Sequence, residues 1–291
     1  MNKDSKILIT GGAGFIGSNL CEHLYSKVGC NIWSLDNYST GSARNHIDNV
    51  TYINGETSKI DELIDFSPDY LFHFGEYSRV EQSFKDIEKV WEYNTQGIFK
   101  ILQFCLKNET KLIYSGSSTK FGDGGSGKDQ SPYAFSKATN SDFVRNFGSW
   151  FNLNYAIVYF YNAYGKREIS KGEYATLIGI YKENIIKNKP LNVVLPGTQK
   201  RNFTHIDDIT SALEIVAKKG NGDGYGIGSD ASYTVREIAE MFGGTIQEVP
   251  ERPGNRMDAN VITEKTKDLG WTYKKCIKKH IDNFLETNAT T

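Results

Sequence analysis

Short apolar runs without polar alternation recur along the first half of the chain. They lie at Lys6–Thr10, Asn31–Leu35, Val50–Ile53, Tyr70–Phe74, Lys111–Ser115 and Tyr155–Tyr159, and their β-branched and aromatic content predicts strands. Helical spacing fills the intervals, from Phe15 to about Tyr25 and most clearly at Val90, Ile98, Ile101, Leu102 and Cys105. Strands that are apolar on both faces and alternate with helices predict a parallel sheet covered on each side. The expected fold class is therefore α/β, a doubly wound (Rossmann) parallel sheet whose ligand lies beyond the carboxyl ends of the strands.

Past Asn162 the texture changes. The spacing predicts helix over 173–188, a strand at Leu191–Leu195 and a helix from Ile206 to Lys219, while Thr234 with Glu237 three residues on opens another helix as a capping box. This predicts a dinucleotide-binding domain at 1–162. A smaller mixed α/β substrate domain follows at 163–291, with a return crossing near 203–219. The tract Gly122–Gln130 reads as flexible and Glu286–Thr291 as a frayed tail.

The organising motif sits after the first strand. Gly11, Gly14 and Gly17 in Thr10-Gly11-Gly12-Ala13-Gly14-Phe15-Ile16-Gly17 give a tight turn, a close approach for a pyrophosphate and close helix–strand packing. Phosphate then meets the helix N-terminus at Gly14, Phe15 and Ile16. A glycine triplet alone fits any glycine-rich loop. Here a buried strand precedes it and Asp36 ends the next apolar run about 20 residues on, where a carboxylate can hold both ribose hydroxyls of an adenosine.

Composition adds mainly exclusions. The chain has 291 residues, 38% hydrophobic and 24% charged, with a formal net charge of −1, so no basic field points to nucleic acid or an anionic membrane. Cys21, Cys30, Cys105 and Cys276 are dispersed and read as core residues in a reducing compartment. No apolar run is long enough for a membrane span. A cytoplasmic protein is expected. His23, His46, His73, His205 and His280 are scattered without metal-ligand spacing, so no metal is expected.

Tyr133 and Lys137 stand four residues apart, on one face of a predicted helix. A phenol with a pKa near ~10 is a poor base at neutral pH, but a neighbouring ammonium and a cationic nicotinamide ring favour the phenolate. Alone, such a pair is commonly a solvated one. Ser117, just past the predicted strand Lys111–Ser115, adds a hydroxyl where folds of this class place reacting groups.

With these motifs the chain, from residue 6 to about residue 271, resembles the extended short-chain dehydrogenases/reductases of the NAD-dependent nucleotide-sugar epimerase/dehydratase family. The resemblance implies that Ser117 bonds the reacting oxygen, Tyr133 is the base, and Lys137 activates it and grips the nicotinamide ribose. It puts Asp36 and Asn37 at the adenosine ribose, favouring NAD over NADP, Glu56 near adenine, and Asn94 with Gly97 behind the nicotinamide. Asn162, Gln199, Arg201 and Arg252 are placed on the nucleotide diphosphate or its sugar. His205 is implied to be structural, at the crossing back to the large domain.

Dehydratases of the family carry an Asp-Glu pair after the residue matching Ser117, whereas this chain has Ser118-Thr119. The implied reaction is C4 epimerisation of a nucleotide-diphosphate sugar, UDP favoured, through a 4-keto sugar. The alternative is an NAD(P)H-dependent 4-reductase or 3,5-epimerase/4-reductase. The resemblance also implies a homodimer. Departures fall in His73-Phe74-Gly75-Glu76-Tyr77-Ser78-Arg79-Val80, where Glu76 replaces a small residue and is expected in solvent or on the sugar, and in the short glycine-rich 122–130 loop.

Overall fold

A computed structural model describes residues 1–251, 257–258 and 260–288. Six strands, β1 (Lys6–Thr10), β2 (Asn31–Asp36), β3 (Val50–Asn54), β4 (Tyr70–His73), β5 (Lys111–Ser117) and β6 (Tyr155–Phe160), join Gly222–Ile227 in one seven-stranded sheet. Its order is Gly222–Ile227, β6, β5, β4, β1, β2, β3, and every pairing is parallel. The side-chain period of two sends alternate residues to opposite layers. Ile7, Ile9, Ile113 and Val158 pack under α1 (Phe15–His23) and the helix Ile206–Lys219, whereas Leu8, Leu112, Tyr114 and Ile157 pack under the helices Gly97–Lys107 and Pro132–Phe151. Both faces are thus sealed, and only the strand ends are open to ligand.

A third core forms from later residues. Tyr164, Ile178, Tyr181, Leu191, Val193, Ile238, Phe242 and Ile281 pack together around the parallel pair Leu191–Val194 and Ile246–Val249. Between those segments the chain returns to the large sheet. The helix Ile206–Lys219 lies on α1 and leads into Gly222–Ile227 beside β6.

The expected strands are found to within two residues of their predicted ends. The capping box is formed as well: Glu237 N donates to Thr234 Oγ1 at 3.1 Å, and Thr234 N donates to Glu237 Oε2 at 2.6 Å. Three expectations need correction. The helix predicted over 173–188 is shorter, Leu177–Ile186, because Thr176 Oγ1 accepts Gly179 N at 3.1 Å and caps it there. Of the tail predicted to fray over Glu286–Thr291, the part through Asn288 is helical, following Phe284 and Leu285 packed against the third core, and 289–291 lie outside the described residues. Finally, Cys276 is exposed while the other three cysteines are buried.

Candidate active site

The turn after β1 runs against the turn after β4. Gly11 has φ +73°, and a Cβ there would lie 2.9 Å from Gly75 N and from Phe74 C, so glycine is required on both counts. A Cβ on Gly17 would lie 2.2 Å from Gly11 O. Gly14 caps α1 with no side-chain hydrogen bond, which leaves the first-turn N–H groups facing the cleft without side-chain competition. Asp36, 7% exposed, accepts Ala13 N at 2.9 Å and Tyr38 N at 2.8 Å, one on each carboxylate oxygen. Each oxygen keeps a lone pair for a ribose hydroxyl. Burial raises its pKa while those two backbone bonds oppose the rise.

One cleft of about 650 Å³ joins this turn to the third core, reaching Ile178 and Phe203. Gly11, Gly14, Phe15, Ile16, Gly17, Asp36, Asn37 and Glu56 line one end, Ser117, Tyr133 and Lys137 the middle, and Asn162, Gln199 and Arg201 the other. Asn94 is not on its wall. It is fully buried, accepting Tyr77 N at 2.6 Å and donating to Ser136 Oγ at 2.9 Å, so it ties the post-β4 turn to the tyrosine's helix from behind. Arg252 lies outside the described residues. Gln199 donates to Val194 O and Leu195 O, both at 3.0 Å, and its buried Oε1 has no hydrogen-bond partner among the described residues. Asn162 donates to Asn202 O at 2.9 Å, and Arg201 Nη1 to Lys200 O at 2.8 Å.

In the middle, Ser131 Oγ accepts Ala134 N at 3.1 Å and Pro132 occupies the first turn, which starts the helix Pro132–Phe151 at the cleft. Tyr133 Oη is 3.3 Å from Ser117 Oγ, the last residue of β5, and Thr119 Oγ1 is 2.8 Å from the same serine oxygen. One turn along the helix, Lys137 is 3% exposed. Its Nζ donates to Ser115 O, pairs with Glu76 and lies 4.5 Å from the centre of the Tyr114 ring.

Glu76 therefore departs from expectation. Its side chain is not in solvent: it is 2% exposed, and Oε1 accepts Asn140 Nδ2 at 3.1 Å and Tyr114 Oη at 3.2 Å while Oε2 pairs with Lys137, at the wall of the same cleft. The reason lies in the backbone. The close Gly11–Gly75 approach turns residue 76 inward, beneath β5 and the tyrosine's helix. Ser78 is exposed, whereas Arg79 donates through Nε to Tyr174 O at 3.0 Å and through Nη1 to Ser78 O at 2.9 Å. The 122–130 loop, expected to be flexible, is tied at both ends. Gln130 Nε2 donates to Asp123 Oδ2 at 3.0 Å, and Asp123 Oδ1 accepts Met257 N and Asp258 N at 3.2 and 3.1 Å. His205 caps the returning helix, its Nδ1 accepting Asp207 N at 3.1 Å.

Sequence reasoning missed Thr10 and His73. Thr10 Oγ1 accepts Phe74 N at 3.1 Å and Gly75 N at 3.0 Å, which fills its lone pairs and leaves its hydrogen for His73 Nδ1, 2.7 Å away. His73 Nε2 then carries the ring hydrogen and faces Glu76 Oε1 at 3.9 Å. The available signal was a threonine ending β1 opposite a histidine ending β4.

On this doubly wound fold one cleft thus brings together a phenol, a hydroxyl and an ammonium beside a glycine turn suited to a dinucleotide. The chain belongs to the NAD-dependent epimerase/dehydratase family, whose model matches residues 7–228, and NAD is the cofactor of that family. A Methanocaldococcus jannaschii protein provisionally named UDP-glucose 4-epimerase is 26% identical across 98% of this chain and 100% of its own. A Dictyostelium discoideum dTDP-D-glucose 4,6-dehydratase is 29% identical across 83% of this chain and 63% of its own. The fold matches the crystal structure of Thermus thermophilus UDP-glucose 4-epimerase in complex with NAD, with a TM-score of 0.86, 24% identity, and coverage of 98% and 99% of the two chains.

Burial, reinforced by Lys137, lowers the His73 pKa from 6.5 to about 3. The unfolded chain therefore binds this proton between those values and the folded one does not, so the contribution of His73 is intact above about pH 6.5 and is lost as pH falls toward 3. His73→Asn should remove one proton's worth of slope, up to about 1.4 kcal/mol per pH unit in that window. Denaturant unfolding of both proteins across the acid range measures it.

Proposed function

We propose that this chain is a nucleotide-sugar 4-epimerase. The observation that carries the reading is what surrounds Ser117 Oγ: the Tyr133 phenol at 3.3 Å and the Thr119 hydroxyl at 2.8 Å. Ser118 and Thr119 stand where the family's dehydratases carry their acidic pair, and the Glu76 carboxylate is already held by Lys137. Water elimination then lacks its acid and base, while alcohol oxidation keeps everything it needs. Relatives named as UDP-glucose 4-epimerases support a UDP-sugar as substrate.

The residues present fit NAD: the uncapped N-terminus of α1, glycines whose Cβ positions are blocked, and the Asp36 carboxylate. Bound there, NAD supplies reversible two-electron oxidation of an alcohol. Tyr133 takes the proton of the sugar's 4-hydroxyl and later returns it to the oxygen at C4. Ser117, oriented by Thr119, donates to that same oxygen as it gains carbonyl character. Arg201 and Asn162, with Arg252, hold the diphosphate while the 4-keto sugar turns its other face to the cofactor. The unmet Oε1 of Gln199 is available to a donor of the nucleotide. Arg201 supplies a planar cation suited to phosphate.

A homodimer is part of this reading. Phe99 and Leu106 on the helix Gly97–Lys107, and Phe135, Trp150 and Phe151 on Pro132–Phe151, are exposed. Two adjacent helices with apolar outer faces suit pairing with a second copy as a four-helix bundle. Light scattering should give twice the chain mass, falling to one chain mass in Phe99→Glu.

Incubation with UDP-, GDP-, CDP- and dTDP-sugars should yield, for at least one, a C4 epimer of unchanged mass without stoichiometric consumption of NAD or NADH. Tyr133→Phe should slow that conversion by about 10²–10⁴-fold. A product lighter by one water, or one formed only at the expense of NAD(P)H, overturns the reading.

A further inference from the structure

Glu76 is a buried acid at a position that the chemistry described above leaves unused, and every neighbour assigned to it is a donor. Lys137 reaches Oε2, while Asn140 Nδ2 and Tyr114 Oη reach Oε1 at 3.1 and 3.2 Å. The His73 tautomer set by Thr10 turns an N–H toward Oε1 from 3.9 Å. Three donors from β5 and the helix Pro132–Phe151 converge on one carboxylate, with the His73 Nε2–H facing it from beyond hydrogen-bond reach, and this set suits its ionised form. Burial raises the carboxyl, and Lys137 with the hydrogen bonds opposes that rise.

The consequence concerns charge. The ammonium at Lys137 is expected to favour ionisation of the phenol one helical turn away. A carboxylate in contact with that ammonium makes the pair neutral at a distance, so the phenol receives much less of its field. We propose that Glu76 is a positioning residue for this site: its carboxylate fixes the Lys137 ammonium against β5 and offsets the charge that Lys137 presents to Tyr133. The other groups facing Tyr133 are Ser117 and Tyr114 from β5 and the Arg79 guanidinium from the post-β4 turn. Of these, Tyr114 also bonds Glu76 Oε1, and the amide oxygen of the Glu76→Gln variant still accepts that hydroxyl hydrogen. The proposal deepens the epimerase reading and rests on it only in taking Tyr133 as the group that ionises.

The test needs no sugar. Near-ultraviolet difference absorbance of the NAD-loaded protein, wild type minus Tyr133→Phe, isolates the titration of this phenol, and the same pair is made in a Glu76→Gln background. Removing the carboxylate should lower the Tyr133 midpoint by about one pH unit, because an uncompensated ammonium favours the phenolate. An unchanged or higher midpoint overturns the proposal. Thermal melting of Glu76→Gln, Lys137→Met and the double variant guards against a merely misfolded protein. Each single change leaves one buried partner unmatched, so the double variant should be more stable than the two losses summed. Simple additivity also overturns the proposal. A protein that epimerised no sugar would still give both readouts, so the two readings fail separately.

Discussion

The hydroxyl of Thr10 accepts the N–H groups of both Phe74 and Gly75 and gives its own hydrogen to His73. These bonds join the turn after β1 to the turn after β4, two strands that the parallel register sets side by side. Glycine at 11 and 75 follows from the contact, since a Cβ at either would lie within about 3.2 Å of the other turn's backbone. Two features of the cleft depend on it. On one side the glycine turn presents the start of α1 to a dinucleotide, and on the other the chain leaves Gly75 aimed so that residue 76 points under the sheet edge.

What lies under that edge is unusual electrostatics for a site meant to bind anions. Lys137 and Glu76 are both nearly excluded from water, and isolated burial of either charge would be costly. Together, with Asn140, Tyr114 and the Ser115 carbonyl completing their hydrogen bonds, they are tolerated. Arg79 is differently placed. Its assigned hydrogen bonds go to the carbonyls of Tyr174 and Ser78, so its charge is directed by backbone dipoles. The site thus separates a cation that is neutralised at its centre from one that is held on the wall of the cleft.

Much of this was legible in the sequence because it depends on local spacing. The glycines at 11, 14 and 17, Asp36 at the end of β2, Ser117 at the end of β5 and the four-residue step from Tyr133 to Lys137 all follow from periodicity and strand ends. The parallel sheet was equally readable, since Ile7-Leu8-Ile9 and Leu112-Ile113-Tyr114 carry no polar alternation. The destination of Glu76 was not, because it depends on how closely two turns distant in sequence approach, and composition carries no record of that distance. Asn94 is a similar case: the family resemblance placed it behind the nicotinamide, but only the fold shows its amide turned to Tyr77 and Ser136. The start of the helix at Leu177 is set by the Thr176 cap, which apolar spacing over 173–188 does not reveal.

In the proposed reaction one carbon of a nucleotide sugar is oxidised and re-reduced within this cleft without exchanging its carbon-bound hydrogen with water. It is tested most directly with a UDP-sugar bearing deuterium at C4, incubated with the NAD-loaded protein in ordinary water and examined by mass spectrometry and proton NMR. The predicted result is a C4 epimer that keeps its deuterium at C4. Loss of the label to solvent, its transfer to C6 with loss of water, or inversion at C3 or C5 with solvent hydrogen incorporated would contradict it.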